Sequence, residues 1–353
     1  MAAPKELKWV EIDLSAIAHN AAWAVSRLEG GAKLMAVVKA DAYGHGAPAV
    51  AKVALKAGAA SLGVRDLAEA ADLRRAGIAA PIHLLAPILP EQAREAVRLR
   101  VVACVDGIEQ ARALSAAAGG RKVEAHVDVD FGLGRWGVPA RELAGLMAAL
   151  AGLKRLRVTG LSAHIDYVPG KNAVEAEEKL GAFRRLAAPY KKRDPRLVVR
   201  AANTSVFMDF PHHRFDLACL GNLLYGINPS SRSAPLKNAW KFCARILTLR
   251  EVRKGASIGY ASEYLAPRRM RVATLPVGYA DGLTMEPAER LIGFGSGFRY
   301  WGMRRGVRLP FVGRCGISHV LVDATDAPDA KVGDVVTLPV RRTAARGVAR
   351  LYL

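Results

Sequence analysis

Residues 36–46 read Ala-Val-Val-Lys-Ala-Asp-Ala-Tyr-Gly-His-Gly. Lys39 follows directly on an apolar run, and Lys33–Ala40 reads as a strand. A buried ammonium is costly unless it is paired or loses its charge. At the C-terminal end of a barrel strand it would stand where barrel enzymes keep their chemistry. Desolvation lowers a lysine pKa, and the neutral amine is the nucleophile that forms an imine with an aldehyde. Tyr43, four residues on, is placed to reach a phosphate. A strand-end lysine that merely snorkels into solvent would leave the same trace.

Working outward, further short apolar runs with little polar alternation follow. They are Ser61–Val64, Pro81–Ala86, Arg100–Val105, Lys122–Val129, Arg157–Ala163, Leu197–Ala201 and Asp216–Leu220. Such runs suit parallel strands covered on both faces. Amphipathic segments lie between them; in Val174–Leu186 the residues Val174, Leu180, Phe183 and Leu186 fall on one face. Eight strand–helix alternations in about 230 residues point to a (β/α)8 TIM barrel, with a doubly wound sheet as the alternative. After Ser230 glycine and proline rise and helical periodicity fades. Ala244–Val252, Met270–Pro276, His319–Val322 and Asp334–Val340 read as strands between turns. The expected organisation is a barrel over residues 1–230 and a β-rich C-terminal domain over 231–353, joined near residues 228–233.

The chain has 353 residues, 51% of them hydrophobic, enough for two cores. No apolar stretch approaches the roughly 20 residues of a membrane helix, and the N-terminus lacks the apolar segment of a secretory signal. Cys104, Cys219, Cys243 and Cys315 are scattered without a CxxC pair. Neither a disulfide framework nor a metal site is expected, and the reading is a cytoplasmic protein. The formal net charge is +20. Its basic residues are dispersed, with pairs at Arg268-Arg269 and Arg304-Arg305 and no recognition module, so a nucleic-acid partner is not expected. A basic field also draws in anionic substrates and cofactor phosphate.

The segment 36–46 resembles the pyridoxal-phosphate attachment signature of alanine racemases. Similar segments follow in the family's order: DFGLGRWGV at 130–138, AANTS at 201–205, IGYASEYLAP at 258–267, LPVGYADGL at 275–283 and FVGR at 311–314. The resemblance covers nearly the whole chain. It implies an amino-acid racemase acting on alanine, whose D form is a peptidoglycan precursor, and a homodimer with shared active sites. It implies that Lys39 carries pyridoxal 5'-phosphate and acts as one base. Tyr260, from the partner subunit, would be the second base on the opposite face of the substrate, as racemisation requires. Arg135 would bond the cofactor's phenolic oxygen and orient the substrate carboxylate. Tyr43, Asn203, Thr204, Gly221 and Asn222 would surround the phosphate, His164 would lie beside the pyridine ring, and Tyr279 would stand near the entrance. Residues 132–137 also spell GxGxxG, but no strand–turn–helix unit with a following acidic residue accompanies them, so dinucleotide binding is rejected.

Several positions depart from the family pattern. Cys219 stands where the family has an arginine facing the pyridine nitrogen, and a thiol brings no cation. Asp128 stands where many members have a carbamylated lysine, and reads as a substitute anionic partner for Arg135. Ile317 takes a substrate-side position usually held by methionine, and Ser318 replaces an aspartate. Arg346 falls near a phosphate-binding tyrosine of the family. These departures leave three alternatives open. One is a broad-specificity racemase. Another is a different pyridoxal-phosphate reaction on the same fold, such as decarboxylation. The third is a non-catalytic pyridoxal-phosphate-binding protein, against which the β domain carrying Tyr260 argues.

Overall fold

The computed structural model describes residues 4–283, 300–345 and 347–353. It separates into two compact units, Leu14–Asn238 and Met1–Asp13 with Ala239–Leu353.

In the first unit eight parallel strands follow one another around a barrel. The order is Leu217–Leu220, Lys33–Val37, Ser61–Val64, Ile82–Pro87, Val101–Val105, Val123–Asp130, Leu156–Ala163 and Val198–Arg200. Two backbone bonds close the ring between the last strand and the first: Asp216 N–H to Val199 O (3.0 Å) and Cys219 N–H to Ala202 O (2.7 Å). Every residue of Ser61–Val64 and Val101–Val105 is buried, which is why these strands show no alternation in sequence. The crossover helix Ala173–Arg193 buries Ala176, Leu180, Phe183 and Ala187. Val174, expected on that face, is exposed, because the buried stripe begins one turn position later. Among the described residues no helix is long and apolar enough to cross a membrane.

Among the described residues the second unit is a nine-stranded sheet. Its order is Thr248–Val252, Met270–Leu275, Val320–Asp323, Val307–Val312, Trp301–Arg304, Val335–Leu338, Trp240–Arg245, Lys8–Ile12 and Arg350–Tyr352. The run expected as one strand over 244–252 is broken into two. The N-terminal strand Lys8–Ile12 pairs antiparallel with Trp240–Arg245 and parallel with Arg350–Tyr352, burying Trp9, Val10 and Ile12. Residues 8–12 therefore fold with the C-terminal sheet and not with the barrel that follows them. Nor do residues 228–233 form a free linker: Ser230 Oγ donates to Asp209, and Asn228 Oδ1 accepts from Ser230 N (3.0 Å). The Lys237 N–H donates to Asn20 Oδ1 at 2.8 Å, so the barrel unit holds the chain to Asn238. Arg304, one half of an expected surface pair, is instead 2% exposed and bonded to Asp329 and Asp334.

The barrel interior carries titratable groups, with a consequence for stability. Burial, with Arg200 nearby, pushes His83 down to about 3. An unfolded histidine binds its proton near pH 6.5, so between about pH 6.5 and 3 the unfolded chain binds more protons than the folded one. Stability is then fully present above that window and falls as pH falls through it. Between pH 7 and pH 5 this one group accounts for about 2 kcal/mol. Urea unfolding at both pH values is expected to show that loss diminished in His83→Leu; equal losses in variant and wild type would contradict it.

Candidate active site

A cavity of about 310 Å3 opens at the C-terminal ends of the barrel strands, the size of a small-molecule site. Lys39, Tyr43, Asp128, Arg135, His164, Asn203, Thr204, Cys219, Gly221 and Asn222 all line it. Each lies at or just beyond the C-terminal end of a strand, except Arg135, which stands in the loop after Val123–Asp130.

Lys39 leads into an uncommon backbone. Ala40, Asp41 and Ala42 hold φ of 51°, 53° and 54° with ψ of 49°, and Tyr43 has φ 54°. This is a left-handed helical turn without glycine, which costs roughly 1–2 kcal/mol per residue. Such strain persists only where the surroundings over-determine it. The Glu69 carboxylate accepts from Ala40 N at 2.7 Å and from Arg65 N at 2.8 Å. Asp41 Oδ1 accepts from Ala47 N at 2.7 Å. Glu69 is itself fixed in the first turn of the helix Leu67–Arg75, where its N–H donates to the capping Asp66 at 3.0 Å. Burial, then the Arg135 guanidinium, hold the Lys39 amine below the ordinary lysine range, against a raising influence of Glu69.

The other polar groups collect beside this turn. Burial pushes the Tyr43 phenol up to about 12, so it remains a donor at neutral pH. Its ring packs 4.8 Å from that of Tyr225, whose hydroxyl donates to Val37 O at 2.9 Å. Asn203 caps the helical turn Thr204–Asp209 through its Oδ1, which accepts from Val206 N at 3.0 Å. Its amide N–H groups meet no acceptor among the described residues and can donate to a ligand. A second short turn starts at Asn222, after Gly221. A Cβ on Gly221 would lie 2.3 Å from the Tyr43 hydroxyl oxygen. Only glycine leaves room for that hydroxyl, so Gly221→Ala must displace it. Weaker retention of inorganic phosphate, by about tenfold (1.4 kcal/mol), is expected in equilibrium dialysis of that variant; unchanged retention would show that Tyr43 holds nothing there.

Arg135 is exposed at the rim, its guanidinium 3.7 Å over the Trp136 ring. Asp128, expected as its anionic partner, forms no ion pair with it among the described residues. Asp128 and Ser162 are register partners on neighbouring strands, and the Ser162 hydroxyl donates to the Asp128 carboxylate. Burial holds that carboxyl above the usual carboxylate range. His164 keeps contact with solvent at the mouth although protein crowds most of its ring. Desolvation, Arg135 and Lys39 push it down to about 4, leaving it neutral at physiological pH. Two further groups escaped the sequence reading. Glu69 carried no local signal. Arg200 did: it is a charged residue inside the apolar run 197–201, and it is buried and lines the cavity.

Tyr260, Tyr279 and Ile317 belong to the other unit, where all are exposed, at 57%, 44% and 60%. Tyr260 stands in a strained turn, with Gly259, Ala261 and Ser262 at φ 83°, 60° and 54°. Backbone bonds from Tyr279 N to Gly316 O (3.1 Å) and from Ala280 N to Ile317 O (3.0 Å) set Tyr279 beside Ile317. The Tyr260 and His319 rings lie 6.1 Å apart. Arg346 lies outside the described residues.

Family models for the alanine racemase N-terminal and C-terminal domains match residues 12–229 and 239–351. An alanine racemase of Syntrophobacter fumaroxidans is 35% identical over 352 residues, covering 97% of this chain and 92% of that one. The solved alanine racemase of Clostridium difficile 630 superposes with a TM-score of 0.89 at 26% identity, covering 99% of this chain and 97% of that one. That of Bacillus anthracis, with bound L-Ala-P, gives 0.85 at 27% identity, covering 100% and 96%.

Proposed function

The chain belongs to the alanine racemase family, and from that premise we propose that it interconverts L- and D-alanine with pyridoxal 5'-phosphate held on Lys39. The observation that carries the reading is the half-buried Lys39 amine, its pKa lowered, in one cavity with the Tyr43–Gly221 cradle and the donors of Asn203 and Thr204. These residues fit the cofactor: an amine for its aldehyde, and phenol, amide and hydroxyl donors for its phosphate. When bound, it supplies the electron sink that makes the substrate Cα proton acidic.

The protein's part is to bind, orient and move protons. The lowered Lys39 pKa keeps part of the amine neutral, the form that both attacks a carbonyl carbon and accepts a proton. The left-handed turn fixes the approach of its side chain. Arg135 at the rim offers a fork of donors to a substrate carboxylate. Neutral His164 adds no charge beside the ring. Lys39 Nζ holds or moves the Cα proton on one face, and Tyr260 Oη of a second copy does so on the other. Tyr260, Tyr279 and Ile317 support that pairing, being exposed instead of packed in their own unit, with Tyr260 held in a strained turn. The working form is then a homodimer in the cytoplasm acting on a small amino acid. Ile317 of the second copy stands at the substrate side, where it limits side-chain size.

A chiral screen of amino acids with added pyridoxal phosphate tests the reading. Equilibration of L- and D-alanine is expected. Loss of CO2 would replace racemisation by decarboxylation, and no turnover of any amino acid would leave only a cofactor-binding protein.

A further inference from the structure

Cys219 lines the cavity without bringing a charge to it, and the neighbouring strand holds a guanidinium against it. Arg200 ends the strand Val198–Arg200, is 7% exposed, and lines the cavity. A buried guanidinium is costly unless its donors are satisfied. Here Nε donates to His126 Nδ1 at 3.2 Å and Nη1 reaches Cys219 Sγ at 3.8 Å. The other guanidinium N–H groups meet no acceptor among the described residues. Burial holds His126 well below the ordinary histidine range, so its ring is a neutral acceptor. Room for that ring is built into the sheet: a Cβ on Gly160 would lie 2.5 Å from His126 Cε1. Cys219 completes the arrangement, since a longer side chain there would fill the space the guanidinium occupies.

The cofactor's own chemistry says what such a cation meets. The pyridoxal ring nitrogen lies para to the ring carbon that carries the aldehyde, while the phosphate arm and phenolic oxygen stand on the ring carbons to either side of it. Lys39, the Tyr43–Gly221 cradle and Arg135 account for those three sites. We infer that Arg200, reaching over Cys219, is the cation at the ring nitrogen, which it keeps unprotonated; the inference rests on the racemase reading above. A guanidinium cannot give up its proton at physiological pH, so it donates a hydrogen bond to the nitrogen lone pair without protonating it. An unprotonated nitrogen makes the ring a weaker electron sink, and the Cα proton is returned to Cα instead of leaking into side reactions. Asp128, the one carboxylate lining the cavity, would have the opposite effect, but it is engaged by Ser162.

The test uses the wild-type holoenzyme with pyridoxal phosphate labelled with 15N in the ring. The expected resonance is that of a neutral pyridine, unmoving through neutral pH. In Arg200→Gln it is expected to move toward the pyridinium position, and half-transamination per racemisation event to rise about tenfold, the equivalent of one pKa unit. Arg200→Gln combined with Cys219→Arg, which moves the charge one strand over, is expected to restore the wild-type resonance. A pyridinium resonance in an active wild-type racemase overturns the inference, even if the variants fail to fold. So does an Arg200→Gln resonance identical to wild type. Wild type that retains no pyridoxal phosphate on Lys39 removes the racemase reading itself, and the inference with it.

Discussion

Lys39→Ala is expected to lower racemisation by at least about 10⁴-fold, the upper range for loss of a general base. Two functions disappear with this one amine. On the proposed reading it is the amine that attaches the cofactor, and also the proton acceptor on its face of the substrate. The variant is expected to fold normally, because the turn is held by Glu69, Asp41 and backbone bonds and not by the Lys39 head group. Thermal unfolding close to wild type, with cofactor no longer trapped covalently by borohydride, would show that the chemistry and not the fold was lost. Residual racemisation within tenfold of wild type would exclude Lys39 as the attachment site.

Tyr260→Phe is expected to cost about 10²–10⁴-fold, with an asymmetry that a structural role would not produce. Removing the hydroxyl leaves the ring and its turn intact, and takes away one of the two proton carriers that the proposed mechanism uses. In D2O one enantiomer of alanine should still exchange its Cα hydrogen, through Lys39, while the other should not. Equal slowing of exchange for both enantiomers would mean that Tyr260 only shapes the site.

What could be seen in the sequence follows from what each element must bury. Val101–Val105 and Ser61–Val64 are covered on both faces, so they appear as unbroken apolar runs, and the barrel emerges from their repetition. Lys8–Ile12 was not distinguishable from a lead-in, because its partners Trp240–Arg245 and Arg350–Tyr352 lie over 220 residues away in sequence. Lys39, Tyr43 and Gly221 were legible through their motifs, but the reason Gly221 must be glycine, the Tyr43 hydroxyl 2.3 Å from its absent Cβ, is a contact between two turns that follow different strands. The left-handed turn left no trace in composition: Ala-Asp-Ala-Tyr is ordinary helix or loop material until Glu69 is seen to pin it. Asp128 was legible as an acidic residue at a strand end, but its bond to Ser162 was not, because strand register and not chain distance sets the two side by side. Arg200 was visible as a charge inside an apolar strand. Its relation to Cys219 needed the hydrogen bonds that set these two strands side by side.

On the proposed reading each site joins Lys39 of one copy to Tyr260 of another, and subunit mixing tests that pairing directly. Lys39→Ala and Tyr260→Phe proteins, each nearly inactive alone, are unfolded together and refolded as a mixture. In a two-fold dimer with shared sites, half of the mixed dimers' sites regain both intact residues, so about a quarter of wild-type activity is expected at equal proportions. No recovery, in a mixture shown by mass to contain the mixed dimer, would contradict a shared site and place both bases in one chain or leave Tyr260 without a catalytic part.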